Sequence, residues 1–113
     1  MLDCLIIGDS IAKGISNFRK DCVAYTQVGI TSQKWNDKFI TRDLTANSVI
    51  ISLGSNDSQK TFHEVLALRQ NISARRVSWI LPAHNQEAAD AVLIVARNFN
   101  DTVFTIPELA KDK

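Results

Sequence analysis

Three short stretches hold the residues whose types and spacing could do chemistry. Gly8-Asp9-Ser10 follows one apolar run, Gly29 follows a second, and Gly54-Ser55-Asn56-Asp57 follows a third. A serine hydroxyl becomes a useful nucleophile when a base takes its proton and hydrogen-bond donors meet the oxyanion it creates. Gly29 can offer an unobstructed backbone N–H, and Asn56 a side-chain amide. Taken singly, each has a plainer role. Ser10 suits the N-cap of the helix that follows, Gly29 suits a turn, and Asn56-Asp57 suits a turn or a helix cap. Meeting on one rim is what would turn them into a site.

The elements that must position them are legible as alternating patterns. Five apolar runs read as strands, at residues 2–7, 22–28, 48–53, 77–81 and 102–106. "VIISL" and "VSWIL" are nearly continuous in apolar and β-branched residues, as expected of strands covered on both faces. Helical segments lie between them. Residues 32–44 place Trp35, Phe39 and Ile40 on one face. Residues 61–72 open with Thr61 and Glu64 at capping-box spacing and carry Phe62, Val65, Leu66, Arg69 and Ile72. Residues 85–99 align Ala88, Ala89, Val92, Val95, Ala96 and Phe99.

Strands alternating with helices imply right-handed parallel βαβ units. At this length the expected fold class is α/β: a three-layer αβα sandwich on a five-stranded parallel sheet of flavodoxin-like order 2-1-3-4-5. Function in such sheets sits at the carboxyl ends of the strands, near the switch point between strands 1 and 3. In that order the three stretches become spatial neighbours.

Composition bounds the rest. The 113 residues are 45% hydrophobic and 22% charged, which fits one domain with a real core. A net charge of +1 without a Lys/Arg run argues against nucleic-acid or membrane-surface binding. No apolar segment approaches the roughly 20 residues of a membrane span, and no signal peptide is visible, so a cytoplasmic location is expected. Cys4 and Cys22 are expected to be buried thiols in a reducing compartment rather than a disulfide or metal pair.

Gly-Asp-Ser after strand 1, a glycine after strand 2 and Gly-x-Asn-Asp after strand 3 resemble the first three blocks of the SGNH, or GDSL-type, hydrolases. The match runs in order from residue 1 to about residue 106. It implies acyl-ester hydrolysis without a cofactor, and the short loops point to an open site for a small ester substrate. It also implies roles: Ser10 as nucleophile, the N–H groups of Ser10 and Gly29 with the Asn56 amide as oxyanion hole, and Asp9 and Asp57 as loop braces. The family's fourth block, Asp-x-x-His after strand 5, supplies the general base. Here Asp112 stands where its Asp is expected, and its histidine would fall just beyond Lys113. The two histidines, His63 and His84, both precede strand 5.

Three explanations follow. The preferred one is a single domain, residues 1–113, lacking its catalytic loop and last helix because the chain is part of a longer polypeptide. The others are a hydrolase-like binding domain with impaired activity, and a rearranged triad in which His84, after strand 4, is the base. Two rivals come from other classes. "GDSIAKG" is not a phosphate loop, because Lys13 precedes Gly14 and no Gly-Lys-Ser/Thr ending occurs. A flavodoxin- or receiver-like domain shares the fold, with Asp9 and Asp57 as a thin acidic cluster.

Overall fold

The computed structural model describes residues 2–58 and 60–105. Its elements alternate in chain order: β1 Leu2–Gly8, α1 Ser10–Phe18, β2 Val23–Thr26, α2 Ser32–Phe39, β3 Thr45–Ser52, α3 Thr61–Gln70, β4 Ser73–Ile80, α4 Gln86–Asn98 and β5 Thr102–Phe104. The strands form one sheet of order β2-β1-β3-β4-β5, and every pairing is parallel. This is the expected α/β sandwich with the expected strand order.

The main core lies on the face covered by α2, α3 and α4. Leu5, Ile7, Val49, Ile51, Val77 and Trp79 of the sheet meet Trp35, Val65, Leu68, Val92 and Val95 of the helices there. Both tryptophans are fully buried with their indole N–H groups satisfied. Trp35 Nε1 donates to the Tyr25 carbonyl at 2.9 Å, and Trp79 Nε1 to Asp101 Oδ2 at 2.8 Å. Asp101 also receives both arms of the Arg69 guanidinium, so the carboxylate that closes the α4–β5 turn is anchored to α3 as well as β4. The opposite face carries only α1 among the described residues, over a small cluster of Cys4, Ile6 and Ala12.

Several boundaries and faces differ from expectation. β2 is four residues rather than seven, because it is an edge strand pairing with β1 alone. β3 and β4 begin earlier than their apolar runs, at Thr45 and Ser73, since ladder pairing extends through polar residues such as Arg76. α2 stops at Phe39, well short of Leu44. In α3 the buried side is Thr61, Val65 and Leu68, while Phe62 is 44% exposed. The Thr61–Glu64 capping box does not form. Lys60 occupies the N-cap without a side-chain cap, and the Thr61 hydroxyl donates instead to Asp57 Oδ2 at 2.7 Å. The α4 face is as expected.

The cysteines correct the thiol expectation: Cys4 and Cys22 form a disulfide, with Cα atoms 4.6 Å apart. Leu5 lies opposite Val23 in the parallel register, so the residues just before them face each other. Pairing of strands 1 and 2 brings together two positions that α1 separates by 18 residues of sequence. The ground for expecting a reducing compartment is thereby removed. No helix among the described residues is long and apolar enough to cross a membrane.

Candidate active site

The rim begins with a row of three residues. Gly8 at the end of β1 lies opposite Thr26 on one side and Ser52 on the other, so the exits of β2, β1 and β3 stand abreast. Gly8 permits this row. Its φ is +146°, and a Cβ there would collide with the Ser52 carbonyl. The backbone stays clamped one residue further on, where Asp9 N–H donates to the Ser52 carbonyl at 3.0 Å.

Asp9, not Ser10, caps α1. Its Oδ1 accepts from the Ile11 N–H at 3.1 Å, and its carbonyl accepts from the Lys13 N–H at 2.9 Å. The Asp9 side chain is 1% exposed. Burial raises its carboxyl pKa above the ordinary 3.8, opposed by the hydrogen bonds from Ile11 and from the Ser52 hydroxyl. Oδ2 is buried without a hydrogen-bond partner among the described residues. Ser10 is therefore released from the capping duty its residue type suggests. It is exposed at the first position of the helix. Among the described residues neither its hydroxyl nor its backbone N–H has a partner. Such a free N–H at the positive end of a helix suits a developing negative charge.

Gly29 occupies the third position of a turn from Gln27 to Ile30, closed by the Ile30 N–H on the Gln27 carbonyl at 3.3 Å. Its φ of +76° is the type II requirement for glycine at that position. The space where a side chain would stand is open. The Asn56 amide donates to the Ile30 carbonyl at 3.1 Å. One amide hydrogen thus ties the β3–α3 loop to the residue after Gly29, and the second is left to serve a ligand.

Asp57 bridges the helices behind this rim. Its Oδ1 accepts from the Ser32 N–H at 2.8 Å, at the start of α2, and its Oδ2 from Thr61 at the start of α3. Both acids hold loops, one at α1 and one at α2 and α3. Sequence reasoning missed a third brace, Asn85. Its amide donates to the carbonyls of Gly54 and Asp57 at 3.2 and 2.8 Å, while its Oδ1 caps α4 through the Ala88 N–H. An asparagine immediately before a helix was the only local signal, and it announces the cap but not the reach to the neighbouring loop.

Two base candidates lie among the described residues. His63 is exposed in the first turn of α3, and His84 is exposed just before the α4 cap. Among the described residues neither makes a hydrogen bond to Ser10. His84 instead lines an open cavity of about 400 Å³ with Leu81, Pro82 and Ala89. Asp112 lies outside the described residues. Among those residues no group of three or more His, Cys, Asp or Glu side chains could hold a metal.

No family model matches this sequence, and no curated protein does so. Solved structures do match. The chain superposes on the crystal structure of a proposed acylhydrolase from Bacteroides fragilis NCTC 9343 with a TM-score of 0.63 and 13% identity, over 92% of this chain and 67% of that one. It superposes on a GDSL-like lipase from Bacteroides thetaiotaomicron VPI-5482 with a TM-score of 0.58 and 15% identity, over 92% of this chain and 68% of that one. At such identities the likeness is one of fold, and the fold of this chain is the one shared by that acylhydrolase and that GDSL-like lipase.

Proposed function

We propose that the chain has the fold and nucleophile of a serine ester hydrolase acting on small esters, with Ser10 as nucleophile. The observation that carries this reading is the division of labour at α1. The buried Asp9 caps the helix, so Ser10 is left exposed with hydroxyl and N–H both free at the strand-1 exit. Oγ attacks the acyl carbonyl carbon, and the oxyanion is met by the N–H groups of Ser10 and Gly29 and by the Asn56 amide. Collapse expels the alcohol and leaves an acyl-serine, which water hydrolyses. A general base must take the serine proton, and Asp112 would orient it as the acid of an Asp-x-x-His block.

Replacing Asn56 by alanine tests the oxyanion role. The loss of one donor typically lowers kcat by ~100- to 1000-fold, measured on an activated acetate ester with a chain that carries the base. Stability should fall by only about 1 kcal/mol, the loss of the one hydrogen bond from the Asn56 amide to the Ile30 carbonyl. An unchanged kcat with a lowered melting temperature would make Asn56 a loop brace only. A hydrolase-like binding domain is the second reading, favoured by the lack of any hydrogen bond between Ser10 and either histidine among the described residues. It expects no covalent labelling of Ser10 by a fluorophosphonate under any condition.

A further inference from the structure

The turn from Gly54 to Asp57, which carries Asn56, is held from two sides. Toward α2 it is tied by the Asn56 amide on the Ile30 carbonyl and by Asp57 Oδ1 on the Ser32 N–H. Toward α4 the tie is Asn85. Its Nδ2 donates to the Gly54 carbonyl at 3.2 Å and to the Asp57 carbonyl at 2.8 Å, the first and last residues of the turn. The turn's own bond, from the Asp57 N–H to the Gly54 carbonyl at 3.1 Å, joins the same two residues. We infer that Asn85 is a positioning residue of the proposed oxyanion hole: by clipping both ends of this turn it fixes where Asn56 points its free amide hydrogen. The link to catalysis rests on the hydrolase reading; the control of the Asn56 side chain does not.

The residue type is what this duty demands. A helix N-cap needs one side-chain oxygen, and Asn85 Oδ1 supplies it by accepting from the Ala88 N–H at 3.1 Å. For capping alone, aspartate and serine serve about as well as asparagine. Only the asparagine amide adds two donors, and here both are spent on the two carbonyls. Aspartate would keep the cap and set a negative charge against both carbonyl oxygens. The turn also has no slack on this side. Gly54 is buried with a φ of +114°, and a Cβ on it would stand 2.9 Å from Pro82 Cγ and 3.2 Å from Ala88 Cβ. The segment between β4 and α4 therefore lies directly on the turn.

Positioning matters steeply at such a site. A misplacement of about 1 Å can cost ~100-fold in rate. Asn56 is exposed, and its bond to Ile30 alone would let it follow the β2–α2 loop. The clip from α4 removes that freedom.

Two variants separate the clip from the cap. Asn85→Asp keeps the capping oxygen and loses the clip, whereas Asn85→Ala loses both. In the 113-residue chain labelled with nitrogen-15, both should shift the side-chain amide resonances of Asn56 and weaken their nuclear Overhauser contact with Ile30. Resonances left in place by Asn85→Asp, or shifted by Asn85→Ala alone, would overturn the inference and make Asn85 a cap and no more. On an activated acetate ester, in a chain that carries the base, Asn85→Asp should lower kcat by about 10- to 100-fold with KM changed by less than about twofold. Added to Asn56→Ala it should cost little further, because no amide is left to aim. An unchanged kcat in Asn85→Asp, or losses that multiply in the double variant, would also overturn the inference. An Asn56→Ala chain that keeps its full kcat would sink the oxyanion reading alone, and the Asn56 resonances would still decide the positioning.

Discussion

The two faces of the sheet are held by different means. Three helices press on one, and its core includes two fully buried tryptophans and a guanidinium–carboxylate pair sealed between α3 and the α4–β5 turn. Among the described residues the other face carries one nine-residue helix, a small cluster and a disulfide. Beyond α1 it presents an open apolar groove of about 320 Å³ lined by Ile15, Ile50, Ile80 and Phe104, and Phe18 at the end of α1 is 89% exposed. Packing secures the first face, and a covalent link does part of that work on the second. The proposed site spans both. Gly29, Asn56 and Asp57 belong to loops that lead into the well-packed helices, whereas Ser10 opens the helix of the thin face.

The sharpest way to break this comparison is to truncate one side chain on each face. Leu68 is fully buried under α3. Leu68→Ala should cost about 2–5 kcal/mol, the transfer loss plus a cavity. Ile15→Ala, in a wall already open to solvent, should cost less than half of that. Chemical denaturation of both variants reads the difference directly, and equal losses would abolish the distinction.

Next in size is the disulfide. A closed loop of this length is worth about 3 kcal/mol in the chain-entropy account. Reduction, or Cys4→Ala with Cys22→Ala, should lower the denaturation midpoint accordingly. An unchanged midpoint would mean that α1 and β2 are held by packing after all.

The smallest effect sharpens the picture at the α1 cap. The Asp9 pKa is raised by burial, so the native state holds that proton more tightly than the unfolded chain does. The stabilisation from the protonated form is complete below about pH 3.8 and is lost as pH rises through the folded value. Asp9→Asn keeps a capping oxygen and cannot ionise. Measured between pH 4 and 7, the parent should lose melting temperature relative to this variant as pH rises. A parallel pair of curves would show that the buried carboxyl is solvated more fully than its surroundings suggest.

How much the sequence disclosed follows the same division. Continuous apolar runs such as Val49 to Leu53 mark strands buried on both faces, and their alternation with helices carried the strand order. The boundaries of β3 and β4 escaped because Thr45 and Arg76 join the ladder through backbone groups, which composition does not record. The disulfide escaped because it depends on register between strands, not on spacing along the chain. At the candidate site, the stretches Gly-Asp-Ser, Gly29 and Gly-x-Asn-Asp could be picked out by residue type, and the pairing of strands 1, 2 and 3 sets their exits abreast. The transfer of the cap from Ser10 to Asp9 could not, since serine and aspartate are near equals at that position and only the fold decides which one turns inward. Asn85 was equally hidden, because its reach to Gly54 and Asp57 crosses 31 and 28 residues of sequence.

The most direct test of the central claim adds a histidine at the position the Asp-x-x-His reading requires. A chain extended past Lys113 to place a histidine at the second added position would be compared with the 113-residue chain on an activated acetate ester. Because a serine without its base retains only residual catalysis, turnover should rise by about 1000-fold or more, and Ser10→Ala in the extended chain should abolish the gain. No gain from the extension, or a gain that survives Ser10→Ala, would contradict the account. So would robust turnover in the unextended chain that disappears with His84→Ala, which would make His84 the base of a rearranged triad.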